Sequence, residues 1–184
     1  VKIRVALLTT LVVLAGLLAA GCAGELPQPG RTQSTSAPTA PTSTTEAPDV
    51  QLGKQIGATW SEAIQKLVPM IEGAPPPASL QPAVAGLKEE YVQKMVDLGH
   101  QVAALGPSQQ QAAYNRTEDI LDSTANSDWF QRYVHLYEQY AAAEDQASQE
   151  FAILLSTFNT LTQYAFLDVL KAENPEEAAR LGIE

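Results

Sequence analysis

The chain has 184 residues, with 11 Lys+Arg against 21 Asp+Glu, two histidines, one cysteine and a formal charge of −10. So acidic a surface repels nucleic acid and anionic phospholipid, which argues against a DNA- or RNA-binding role. Its length allows one domain of ordinary size once two atypical N-terminal stretches are set aside.

The first of these stretches runs VKIRVALLTTLVVLAGLLAAGCAG, from Val1 to Gly24. Lys2 and Arg4 give a short basic start, an apolar run extends from Val5 to about Ala20, and small residues lead into Cys22. That is the layout of a secretory signal. An apolar run of about 16 residues is short for a spanning helix, which needs ~20. Val1 in place of methionine fits an alternative start codon and a bacterial origin. Leu18-Ala19-Ala20-Gly21-Cys22 resembles the lipobox of bacterial lipoproteins, with leucine one step earlier than usual. The resemblance covers only the signal and the modification site. It implies that residues 1–21 are a signal peptide and that Cys22 is lipidated, with acyl groups such as palmitate. The chain would then be held at the cell membrane with its domain on the extracytoplasmic side. Two acyl chains meet the requirement for stable anchoring, which one chain does not. Cleavage before Cys22 removes two bases and no acid, which takes the side-chain charge to −12. With Cys22 lipidated no thiol remains, so disulfides and thiolate metal ligands are excluded.

Residues 22–49 form the second stretch, and more than half of Glu25 to Asp49 is Ser, Thr or Pro. With Leu26 its one large apolar residue, it cannot bury enough surface to offset ordering, and a disordered tether is expected. About 25 residues span ~27 Å as a coil and ~75 Å as polyproline II. The same composition occurs in O-glycosylated stalks.

Residues 50–184 read as a folded domain. Asp49 is placed to cap a first helix of about Val50 to Glu72, whose stripe is Leu52, Ile56, Trp60, Ile64, Leu67, Val68 and Ile71. Pro69 should kink or end it. Ser79 is placed to cap a second helix, with Pro82 in its first turn and a seam of Val84, Leu87, Tyr91, Met95, Leu98, Val102 and Leu105. Their short link predicts antiparallel packing. Ser108 is expected to cap a third helix to about Ser123, with a weaker stripe of Ala113, Tyr114, Ile120 and Leu121.

From Trp129 to Glu173 there is no glycine or proline. Local rules predict one helix of about 45 residues there, with a break inside Ala143–Ser148 as the alternative. Its expected stripe is Phe130, Tyr133, Val134, Tyr137, Ala141, Ala147, Phe151, Leu154, Phe158, Leu161, Ala165 and Val169. Asn174 and Pro175 start a last short helix, closed by Gly182. No stretch alternates as a strand. The expected fold is therefore all-α, a bundle of three or four long helices with a short C-terminal one.

Motifs of chemistry are sparse. The sequence contains no phosphate loop, nucleophile elbow, paired-His zinc motif or Ca²⁺ loop. Neither His100 nor His135 belongs to a Glu-x-x-His pair, and the reversed His135/Glu138 order is weak, so no metal or cofactor is expected. Adjacent acids at Glu89/Glu90, Glu118/Asp119, Glu144/Asp145 and Glu176/Glu177 point about 100° apart on a helix and do not face each other as a catalytic pair. Trp129, Tyr133, Tyr137 and Tyr140 recur at steps of four, four and three, with Arg132 beside them. Such rings line a pocket or fill a core, and the spacing favours core. These features point to a non-enzymatic lipoprotein that displays an acidic bundle to an unidentified envelope protein. The alternative is a module binding a small apolar or glycan ligand through Trp129, Tyr133 and Tyr137. An enzyme is the third class, and no catalytic constellation supports it.

Overall fold

A computed structural model of the chain describes residues 46–183. The signal segment, Cys22 and the tether up to residue 45 lie outside the described residues. All regular structure among those described is helical, as expected. The helices are α1 (Pro48–Ile71), α2 (Pro77–Ala103), α3 (Pro107–Thr124), α4 (Asp128–Ala141) and α5 (Gln146–Ser156), followed by a 3-10 segment (Thr157–Ala165), α6 (Leu167–Glu173) and α7 (Pro175–Arg180).

They form four columns that run alternately up and down in chain order. The chain ascends α1 and descends α2, whose Tyr91 bonds Glu62 of α1. It ascends again beside α1 in two pieces. Gly53 and Gly57 face Ala113 and Ile120 of α3, and further along α1 Trp60 meets Trp129 and Phe130 of α4. The last column descends from α5, where Phe151 meets Tyr140, to the 3-10 segment and α6. There Tyr164 and Leu167 reach Gly99 near the end of α2. All seven stripe residues expected on α1 are buried. On α2, Val84, Tyr91, Met95 and Val102 are buried as expected, but so are Val92, Val96 and Gly99. This helix is covered from two sides, by α1 and by the last column, so one seam does not describe it.

Helix starts correct three expectations. Asp49, Ser79 and Ser108 are not N-caps: the caps are Ala47, Pro76 and Gly106, and each helix opens on the proline that follows, Pro48, Pro77 or Pro107. Proline brings a preset φ and lacks the N–H that the first turn would leave unpaired. Pro82 is consequently inside α2 rather than in its first turn. Ser79 instead donates its hydroxyl to the Pro76 carbonyl at 2.7 Å. The last helix follows its expectation. Asn174 accepts from the Glu177 N–H at 3.2 Å. Gly182, at φ 72°, then turns the chain so that the N–H groups of Ile183 and Gly182 bond Ala178 and Ala179 at 2.9 and 3.1 Å.

The single 45-residue helix does not form. The chain leaves α4 at Ala142 and restarts where the Asp145 carboxylate accepts from the Ser148 N–H at 2.8 Å. This is the break the alternative placed there. A second departure was not foreseen: the 3-10 segment is nine residues long, where runs beyond about four are uncommon. Ser156, Thr157 and Thr160 each turn a hydroxyl back to the carbonyl three residues earlier, competing with backbone donors. Two buried donors from other columns also hold this stretch. Trp60 Nε1 donates to the Phe158 carbonyl at 3.0 Å, and the Tyr133 hydroxyl to the Leu155 carbonyl at 2.9 Å. Within α4 the buried face is Tyr133, Leu136 and Tyr140, so Ala141 of the expected stripe is exposed before any break. Each later departure resets the helical phase: Ala147 is exposed, and Leu155, Leu167 and Leu170 are buried.

Candidate functional site

The aromatic row on α4 divides by depth. Tyr133 and Tyr140 are buried, while Trp129, Phe130 and Tyr137 are half-buried against the core. The rings meet in series, tilted from Trp60 to Phe130 at 5.4 Å and from Phe130 to Tyr133 at 5.8 Å, and stacked from Tyr133 to Tyr137 at 6.4 Å between centroids. The polar ends of the buried pair are occupied internally. Tyr133 donates to Leu155, and Tyr140 donates to the Pro75 carbonyl at 2.8 Å. Burial pushes both phenols above the usual tyrosine range. Arg132 points outward and pairs with Glu72 at the end of α1. The row therefore knits α4 to α1 and α5, and Trp129, Arg132 and Tyr137 supply its outer edge.

Both histidines are exposed, and His135 is bonded to Gln139 at 3.2 Å. Among the described residues no three His, Cys, Asp or Glu side chains group as metal ligands. Two polar clamps went unseen in the sequence because their members are far apart in the chain. On α1 and α2, Tyr91 donates to Glu62 at 2.7 Å while Lys94 lies 4.1 Å from its ring centroid. Near the C-terminus, Glu177 accepts from Arg180 at 2.7 Å and from the Tyr164 hydroxyl at 3.0 Å. Arg180 also reaches Glu89 of α2 at 3.1 Å. The Arg180 contact, supported by Tyr164, pulls the Glu177 carboxyl down to about 2.

A surface groove lies between α3 and the 3-10 segment with α6. Its origin is the glycine-mediated packing of α3. A β-carbon at Gly53 would lie 2.6 Å from the Ala113 carbonyl oxygen, and one at Gly57 would lie 2.7 Å from Ile120. So close an approach to α1 buries only Ala113 and Thr117 of α3. The flank of the helix that carries Tyr114, Glu118 and Leu121 is left partly open. Tyr114, expected in the stripe, is 39% exposed and lies edge-on to Phe166 at 5.1 Å. Val169, also expected in the core, is 39% exposed.

Two cavities of about 180 and 240 Å³ share Tyr114, Phe166 and Val169 as walls. The charged residues lining them are Asp168 in one and Glu118 and Glu173 in the other, with no lysine or arginine in either wall. Lys171 stands beside Asp168 at 3.6 Å. Burial, then the charge of Asp122, pushes the Glu118 carboxyl above the usual range. The Tyr114 phenol is raised by burial and by the charges of Glu118 and Glu173. Sequence reading placed Tyr114 and Val169 in stripes and so did not single out the groove. The one available signal was the weak apolar pattern of α3.

Comparison with known proteins finds no matching family, no matching curated protein and no matching solved structure.

Proposed function

We propose that this chain is a membrane-anchored cell-envelope lipoprotein, lipidated at Cys22, whose acidic helical bundle is a non-enzymatic interaction module for another envelope protein. The observation that carries the anchoring is the run Leu18-Ala19-Ala20-Gly21-Cys22 behind a basic start and an apolar stretch. Among the described residues no helix is long and apolar enough to cross a membrane. A lipid anchor would leave the whole bundle surface available to a partner. The interaction half of the reading is supported by the groove beside α3, where Tyr114 of α3 and Val169 of α6 are each 39% exposed and Tyr114 lies against Phe166. Cavities of about 180 and 240 Å³ fall below the ~300–1,000 Å³ usual for small-molecule sites, which favours a surface contact over an enclosed ligand.

Metabolic labelling with a fatty-acid probe tests the anchor. The wild-type chain takes up label and Cys22→Ala does not; equal label on both would reject lipidation at Cys22. Co-purification from native membranes tests the module, since a partner should be recovered with the wild-type chain. Recovery of no partner by cross-linking in intact cells would reject the interaction reading.

A further inference from the structure

We infer that the groove between α3 and the 3-10/α6 edge is a docking site for a basic amphipathic helix of a partner protein; this rests on the interaction reading above. Tyr114, Glu118 and Leu121 recur at four and three residues along one side of α3, which is two turns, or about 10 Å of helix at 1.5 Å per residue. The other wall combines Phe166 and Val169 with the polar Asn159, Thr160, Thr162 and Gln163. An amphipathic helix fills such a groove with apolar side chains at i, i+3, i+4 and i+7.

Charge decides the flanks of that helix. Glu118 and Glu173 line the groove and no cation lines either cavity, while Asp168 at its end is already paired with Lys171. A lysine or arginine beside the apolar stripe therefore meets a carboxylate, whereas a glutamate meets a like charge. The same field opposes a second copy of this chain, which carries −10 overall, and opposes anionic lipid. Ile153, the most exposed large apolar residue described, does not line this groove and stands as a single exposed side chain.

The test uses the mature lipidated chain in zwitterionic nanodiscs and two labelled helical peptides. Both carry leucines at i, i+3, i+4 and i+7; one has lysine flanks and the other glutamate flanks. Fluorescence anisotropy, corrected against empty nanodiscs, should show the lysine peptide binding at least about tenfold more tightly than the glutamate peptide. Its affinity should fall as salt shortens the screening length below about 8 Å. The double variant Glu118→Gln/Glu173→Gln should weaken the lysine peptide about tenfold and flatten its salt dependence. Tyr114→Ser should weaken it further, with the circular-dichroism melt retained in both variants. Equal affinity for the two peptides, or binding that survives all these substitutions, overturns the inference. So does self-association of the wild-type chain that Tyr114→Ser abolishes, because the occupant would then be a second copy. A native partner whose cross-link persists in Tyr114→Ser overturns the groove while leaving the interaction reading intact.

Discussion

Tyr133 carries two roles in one side chain. Its ring is buried between Phe130 and Tyr137, and its hydroxyl holds the Leu155 carbonyl just before the chain changes from α to 3-10 geometry. Tyr133→Phe keeps the ring and should cost about 1 kcal/mol, the net worth of one buried hydrogen bond. Tyr133→Ala should cost about 3–5 kcal/mol. Tyr137 shares the stripe but is only half-buried, so Tyr137→Ala should fall clearly below Tyr133→Ala, and exposed Gln139→Ala should stay within about 0.5 kcal/mol of wild type. Urea unfolding of the four variants gives the order. Glu177 supplies a different readout. Its folded value of about 2 lies below the ordinary 4.5, so the unfolded state binds its proton first as pH falls. The stabilisation is complete above 4.5 and is lost as pH drops toward 2. Glu177→Gln should therefore lower stability at neutral pH by about 1 kcal/mol and flatten the pH dependence between 4.5 and 2. Urea midpoints across that window check both.

At the scale of the element, Gly53 and Gly57 of α1 have the opposite meaning from Gly86 of α2. Gly53 and Gly57 lie where α3 touches α1, and an added methyl at either would sit 2.6–2.7 Å from α3 atoms. Gly57→Ala should force the two helices apart and cost about 1–3 kcal/mol, outweighing the helix-propensity gain. Gly86 is exposed inside α2, with nothing within 4 Å of an added β-carbon. There the same substitution should stabilise by about 0.5–1 kcal/mol, because it only restricts the unfolded chain. Thermal melts of Gly57→Ala and Gly86→Ala should move in opposite directions. A shared direction would contradict the close contact between α1 and α3. That contact also makes the groove, because a helix drawn so tightly onto one neighbour leaves a flank partly open.

For the molecule as a whole, the described core joins all four columns through Trp60, Tyr91, Phe151, Phe158 and their neighbours, and none of it draws on residues before Leu52. A chain shortened to start at Asp49 should fold cooperatively to a strongly helical protein. Circular dichroism with thermal melting measures this. A β-rich spectrum, or loss of cooperativity on shortening alone, would show that the preceding segment contributes to folding. Burial of one contiguous core per domain is what makes such a melt two-state.

Local chemistry alone determined the all-α class, the four buried stripe positions shared on α2, the complete stripe of α1 and the closing turn at Gly182. Each depends on spacing within a few residues or on what glycine and proline permit in the backbone. The same local rules point to Asp49, Ser79 and Ser108 as caps, yet proline at the first helical position sets the starts instead, at Pro48, Pro77 and Pro107. Other features were decided only when the columns packed. Trp60 and Tyr133 donate to carbonyls 98 and 22 residues away, separations that no local spacing rule spans. The phase of the C-terminal stripe followed from that segmentation, which buried Leu155 and Leu170 and exposed Ala147 and Val169. Tyr114 shows the same limit. Its apolar ring and helical spacing are local facts, but whether it lies in a core or on a groove depends on how closely Gly53 and Gly57 let α3 approach α1.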